Sequence, residues 1–220
     1  QKGLTTIESA EGFIRQIIGW REYVNGMYWY LGSEYKNKNE LAANRKLLPL
    51  FNDPDKTSMN CVKQTITDIQ ERAWVHHIER LMVIGNLALI AGVNPQELTD
   101  WMWSSFIDGA EWVMVPNVVG MALHADGGRM ATKPYAAGGA YISRMSDHCK
   151  GCAFDRTQRV GDTACPFTTL YWDFLARHAD RFGRNPRVVQ QVRAAQRVTD
   201  LDQVRERAVE VLRRLDAGEL

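Results

Sequence analysis

CKGCAFDRTQRVGDTACP, residues 149–166, carries three of the four cysteines of this 220-residue chain. The spacing reads C-x2-C-x12-C-P, and the fourth thiol, Cys61, lies far upstream in an apolar, helix-like stretch. Four thiols distributed in this way point to one tetra-thiolate site that pins the C-terminal segment onto an earlier helix. Cys149 and Cys152 stand about one turn apart and can reach a single centre together. Cys165 returns to it after a loop.

Three chemistries compete for such a set. A disulfide framework suits small secreted domains, and this chain has neither a secretion signal nor a shortage of apolar residues. Structural zinc accepts four thiolates in a tetrahedron. An iron–sulfur cluster accepts them too, and a proline directly after the last ligand, here Pro166, is a feature of cluster sites. Spacing alone leaves zinc and iron–sulfur level. His148, beside Cys149, offers a replacement ligand, although a neighbour of the site or a surface residue is the plainer reading.

Working outward, 45% hydrophobic and 24% charged residues describe an ordinary globular chain with a substantial core. Its longest apolar run, Leu81 to Val93, is interrupted by Gly85 and Asn86, so no transmembrane span is expected. Gln1 runs almost directly into an amphipathic segment, and the chain reads as part of something longer. A net charge of +1 does not announce a nucleic-acid binder. After Phe167, however, arginines accumulate from Arg177 to Arg214; a solvated helical face is the plainer reading, a phosphate-contacting patch the sharper one.

Apolar spacing is helical nearly throughout, and the expected fold is all-α. Residues 9–31 place Phe13, Ile17, Trp20, Tyr23 and Tyr28 on helical intervals. Asp55 or Thr57 should cap a helix from about Ser58 to Glu71. A tightly packed helix from about Trp74 to Ala91 follows, kept slim by Gly85, Ala88 and Ala91. Asn94-Pro95-Gln96-Glu97 is a helix start, and that helix should run to about residue 113. From Pro116 to Tyr141 the pattern gives way to a glycine-rich connection, of a length that is often functional. Helices are expected again near 166–180, 186–197 and 202–216. The division taken is 1–145 for the helical core and 146–220 for the thiol segment and its helices.

Several stretches together resemble the iron–sulfur bacterial branch of the photolyase/cryptochrome family, the deoxyribodipyrimidine photolyase-related proteins. They are Gly12-Phe13-Ile14-Arg15-Gln16 with Gly19-Trp20-Arg21-Glu22-Tyr23; His76-His77-Ile78-Glu79-Arg80-Leu81-Met82 with Gly85-Asn86; Pro116-Asn117-Val118-Val119-Gly120-Met121; Ala125-Asp126-Gly127-Gly128; Lys133-Pro134-Tyr135; and the four cysteines in order and spacing. The resemblance implies a helical FAD-binding domain in which Cys61, Cys149, Cys152 and Cys165 hold a structural [4Fe–4S] cluster. It also implies an N-terminal α/β domain outside this chain, carrying the antenna chromophore, and an upstream Ser/Thr-rich segment that grips the FAD diphosphate.

By the same resemblance, His77, with His76 beside it, stands on the lesion side, and Trp101 is the first electron donor, with Tyr135 and Tyr141 as later steps. Arg80 and Asp108 are the pair flanking the flavin ring. Asn86, Glu111, Met114, Asn117, Gly120, Met121 and Tyr135 complete the cofactor-binding set. Glu111 or Met114 falls near the flavin N5, where several relatives carry a polar group instead of Met114. Trp20, Arg21 and Glu22 are assigned to the cavity floor or substrate edge, and Trp74, Trp103 and Trp112 to the core. The expected function is a light-dependent DNA repair lyase acting on UV-damaged DNA, in particular (6-4) photoproducts, as a cytoplasmic bacterial monomer. Its rivals are a blue-light photoreceptor on the same fold and a primase-like iron–sulfur nucleic-acid module without flavin.

Overall fold

A computed structural model describes residues 5–220; Gln1, the start of the amphipathic lead-in, lies outside them. Among the described residues the chain is all-α, with only two isolated β-bridges, Arg45 with Val93 and Asp155 with Ala164. No helix among them is long and apolar enough to cross a membrane.

The core is built on helices α5 (Asn86–Ala91), α9 (Pro166–Arg177) and α12 (Leu201–Ala217). Every residue of α5 is buried, which its Ala88 and Ala91 permit by letting neighbours approach. In α9, Pro166 occupies the first turn, where its missing N–H costs nothing, and Phe167, Leu170 and Phe174 face inward. Helix α12 buries Val204, Ala208, Val211 and Leu215, steps of four, three and four that define one face. Each such valine or leucine contributes roughly 1.5–3 kcal/mol by leaving water. The same core takes in Cys61 and Ile66 of α3 (Asn60–Arg72), so both ends of the thiol set rest on it.

Where element boundaries depart from the sequence reading, local causes are visible. Helix α3 is capped by Met59, whose N–H donates to Thr57 Oγ1 at 3.1 Å, while Asp53 caps the short turn before it. Helix α6 (Pro95–Ser105) starts at Asn94 as its sequence requires, but stops short of residue 113. Phe106 turns extended, the Ile107 N–H donates to the Ala73 carbonyl at 2.9 Å, and a Cβ on Gly109 would sit 2.5 Å from the Trp103 carbonyl oxygen. Asp108 therefore lies in a turn, and Glu111 and Trp112 belong to the next helix, α7 (Glu111–Val115).

The segment from Pro116 is not the start of a loop. It continues α7 as a π-helical stretch, Pro116–Ala122. Proline removes one rung of the α-helical ladder, and the wider turn absorbs the loss. Two further π-helical stretches occur, Ile17–Glu22 between α1 (Ile7–Gln16) and α2 (Tyr23–Leu31), and Arg80–Gly85 between α4 (His77–Glu79) and α5. The helix of residues 7–31 has the expected apolar spacing but buries only Val24; Phe13, Ile14, Ile18, Trp29 and Tyr30 face outward. Trp74 and Trp103 are likewise exposed rather than core.

Candidate functional site

All three π-helical stretches meet around one cavity of about 510 Å³. Trp20 comes from the first, Arg80 and Leu81 from the second, Asn117, Val118, Met121 and Ala122 from the third. A π turn shifts side chains off the 3.6-residue register, and such turns gather at functional sites. The volume lies within the range of small-molecule sites, and the wall is mostly apolar with few polar groups. Gly85 brings the second and third stretches together: a Cβ there would meet the Ala122 Cβ at 2.9 Å.

Arg80 is the cation of this wall. Its Nη1 lies 2.8 and 3.0 Å from the two oxygens of Asp108, and its Nε donates to the Val75 carbonyl at 3.0 Å. The guanidinium stacks 4.1 Å from the Phe106 ring centroid. Side-chain exposure is 17% for Arg80 and 51% for Asp108, so the acid orients the base from the solvent side while the base faces the cavity. A planar, electron-rich ligand entering this wall meets one oriented cation amid apolar surface.

His77 lines the cavity mouth, and burial, His76 and Arg80 lower its pKa in that order. His76 does not share the helix with it. It is the N-cap, its Nδ1 accepting from the Ile78 N–H at 3.2 Å, and the two rings lie 4.3 Å apart at 37°.

Of the remaining expected residues, Met114, Asn117, Met121 and Tyr135 line the cavity, and Trp20 lines it while Arg21 and Glu22 pair with each other outside. Asp108 reaches the site only through Arg80. Asn86 is buried elsewhere: its amide accepts from the Ala137 N–H at 3.0 Å and donates to the Ala137 carbonyl at 2.8 Å, clasping the glycine-rich connection onto α5. Gly120 packs against Tyr35 and Met130, and Glu111 lies toward Lys36 at 4.0 Å. Trp101 does not line the cavity; it is a core ring, 5.0 Å from Phe51 and 6.3 Å from Phe106, the latter a residue of the cavity wall.

Gln16, Ile78, Leu81, Met102, Phe106, Val113, Val118 and Ala122 line the same wall without having been assigned a site role from sequence, although Gln16, Ile78, Leu81 and Val118 lie in the stretches that carry the resemblance. Most are apolar and read as ordinary core; for Leu81, Val118 and Ala122 the turn that carries them is π-helical, a register that apolar periodicity cannot express.

On another face, Cys61, Cys149, Cys152 and Cys165 line one small cavity with Ile142, Phe154 and Phe167, and none is in a disulfide. Cys61 is delivered by the first turn of α3, Cys165 by the residue before α9. The intervening loop is closed by Asp155 N–H donating to Thr163 O at 2.7 Å and Cys165 N–H to Asp155 O at 3.0 Å. Burial, then the neighbouring Cys165, Cys152 and Cys149, pushes the Cys61 thiol up; burial does the same for Cys149 and Cys165. A Cβ on Gly139 would lie 2.8 Å from Cys165 Sγ. No three His, Cys, Asp or Glu side chains among the described residues converge tightly enough to hold a single metal ion. The thiols share a cavity wall rather than one point.

No family model matches the chain. Over 217 residues, 98% of its length, it is 46% identical to a (6-4) photolyase of Agrobacterium fabrum (strain C58 / ATCC 33970), of which it spans 43%. Over 101 residues, 46% of its length, it is 32% identical to an uncharacterised protein of Acanthamoeba polyphaga mimivirus, covering 75% of that protein.

Proposed function

We propose that this chain is the flavin-binding catalytic part of a light-driven DNA repair enzyme, a carbon–carbon lyase acting on (6-4) photoproducts. The observation that carries the reading is a wall of His77, Arg80, Met114, Asn117, Met121 and Tyr135 around one cavity, in a chain 46% identical to a (6-4) photolyase. The apolar walls and the single oriented guanidinium fit a flavin ring. When bound, reduced FAD supplies the photo-excited electron and takes it back.

The protein's own groups supply the rest. Arg80, held by Asp108, sets positive charge beside the ring and favours its reduced, anionic form. Met114 and Val118 exclude water. His77 holds or gives a proton at the oxygen transferred during repair, and phosphates of an entering lesion raise the pKa that burial and Arg80 depress. The linked damaged bases reach this mouth only by leaving the duplex stack. Trp101 stands one ring behind Phe106, suited to electron delivery from the core side.

The four thiols are assigned to a structural [4Fe–4S] cluster. Their shared cavity and the resemblance in order and spacing, closing on Cys165-Pro166, support that reading. The exposed apolar face of residues 7–31 is assigned to contact with polypeptide outside this chain, including the N-terminal α/β domain and its antenna. The working unit is taken as a cytoplasmic monomer.

The test is the absorption spectrum of the full-length protein with flavin, iron and sulfide counts, followed by anaerobic illumination with damaged oligonucleotide. Restored bases support repair. Flavin photoreduction with intact lesions points to a photoreceptor instead, and a cluster spectrum without flavin to a primase-like module.

A further inference from the structure

We infer that Glu79 is a positioning residue that sets His77 at the cavity mouth and ties that setting to the cysteine-bearing segment. Its two oxygens serve different partners. Oε2 accepts from the His76 N–H at 3.1 Å, completing a reciprocal cap with the His76 ring, whose Nδ1 accepts from the Ile78 N–H at 3.2 Å. Oε1 lies 3.6 Å from His148 Nε2. Both side chains are mostly withdrawn from water, 27% exposed for Glu79 and 16% for His148.

His148 is anchored in turn, because its carbonyl accepts from Asn60 Nδ2 at 2.8 Å. Asn60 directly precedes Cys61 and His148 directly precedes Cys149. A continuous set of contacts thus runs from the backbone flanking two of the four thiols, through His148 and Glu79, to the turn that bears His77.

The choice of cap supports the assignment. Ser, Thr, Asp and Asn cap helices best, and histidine is not among the favoured residues. An imidazole at position 76 adds what a hydroxyl cannot, a ring lying 4.3 Å from the His77 ring that limits where that ring can stand. Glu79 fixes the backbone of residue 76, residue 76 fixes the ring, and the ring confines His77.

The structural part of this inference is independent of the repair reading; its consequence for catalysis rests on it. The experiment uses the full-length protein as Glu79→Gln, Glu79→Ala and His148→Ala. Amide exchange at His76, followed by NMR, should rise about tenfold in Glu79→Ala. It should stay within about threefold of the parent in Glu79→Gln, whose amide oxygen still accepts. Unchanged His76 exchange in Glu79→Ala overturns the clamp; so does a rise in the fully folded Glu79→Gln as large as that in Glu79→Ala, a result that stands even where the alanine variant retains its fold only partly.

Repair yield per absorbed photon then tests the consequence. Glu79→Ala should lower it with flavin content and DNA affinity kept, and His77→Ala/Glu79→Ala should be no worse than His77→Ala alone. Multiplying losses overturn the positioning role. If the parent protein binds flavin and DNA but repairs nothing, the proposed function fails while the exchange result stands on its own.

Discussion

Arg80 and Asp108 form a two-point contact across the break between α6 and α7, with both carboxylate oxygens within 3.0 Å of Arg80 Nη1. The pair is unequal. Asp108 is half exposed, so Asp108→Asn should cost only about 0.5–1 kcal/mol in urea unfolding. Arg80→Gln also removes the Val75 contact and the stacking on Phe106, and should cost about 1–3 kcal/mol. Flavin content should fall in the arginine variant more than in the asparagine one. Equal costs would mean that the arginine acts through its ion pair alone.

Gly120 tests the packing behind the cavity. A Cβ there would lie 2.2 Å from the Tyr35 hydroxyl and 2.4 Å from the Met130 Cβ. That hydroxyl donates to Asp126 Oδ2 at 2.7 Å, and Asp126 also accepts from the Met130 and Gly128 N–H groups. Gly120→Ala should therefore destabilise by about 1–3 kcal/mol and loosen residues 126–130, read as faster amide exchange at Met130. Stability within a few tenths of a kcal/mol of the parent would show that the loop gives way freely.

The helices were legible because apolar spacing and caps such as Asn94 are local signals. The gathering of the four thiols on one small cavity was legible as well, from their number and spacing, though not how closely they would approach one another. The π turns were not legible. Pro116 and the glycines after it read as a loop because proline forbids an α-rung, whereas the chain widens the helix instead. Asn86 and Gly120 carried a family pattern that does not separate a group touching a ligand from one holding the wall behind it. Exposure of Trp29 and Tyr30 was equally hidden, because a helical stripe is the same whether its partner lies within this chain or beyond it.

The cysteines should act as a unit. Cys61→Ser on α3 and Cys165→Ser before α9 should each abolish bound iron and sulfide together, and each should cost about 3 kcal/mol or more. The equality is the discriminating result, since Cys61 is remote in sequence from the other three. Iron retained in Cys61→Ser would remove it from the ligand set, and zinc in place of iron would make the centre mononuclear.

His178 gives the fold a dependence on pH. It packs between Phe174 and Phe182, and burial, with Arg177 and Arg181 nearby, depresses its pKa from the ordinary 6.5 to about 4. The unfolded chain binds this proton more readily than the native one, so stability rises with pH over that interval. The contribution is fully present above about pH 6.5, is lost progressively on acidification, and stops changing below about pH 4. His178→Phe should flatten this part of a plot of Tm against pH; an unaltered slope would assign the acid sensitivity to other groups, buried His124 first among them.

Apart from Arg214, which donates to the Glu219 carbonyl, the arginine run resolves into two classes. Arg177, Arg181, Arg205, Arg207 and Arg213 face carboxylates, whereas Arg184, Arg187, Arg193 and Arg197 are exposed and make no ion pair among the described residues. Asn185, between the first two unpaired arginines, donates to the Thr132 carbonyl at 2.8 Å. Lys133 follows Thr132 with its Nζ 5.8 Å from the ring of Tyr135, which lines the cavity. Positive charge thus continues from the cavity mouth along this edge, where a duplex delivering a flipped base would lay its phosphates. Each phosphate neutralised contributes about 0.9 to the slope of log K against log salt, so Arg184→Gln/Arg187→Gln should lower that slope by about 1–2 for lesion-bearing duplex. Arg213→Gln, already compensated by Glu210 and Glu219, should leave it unchanged. A slope that responds equally to both changes would indicate net charge, not a track beside the cavity, as the source of binding.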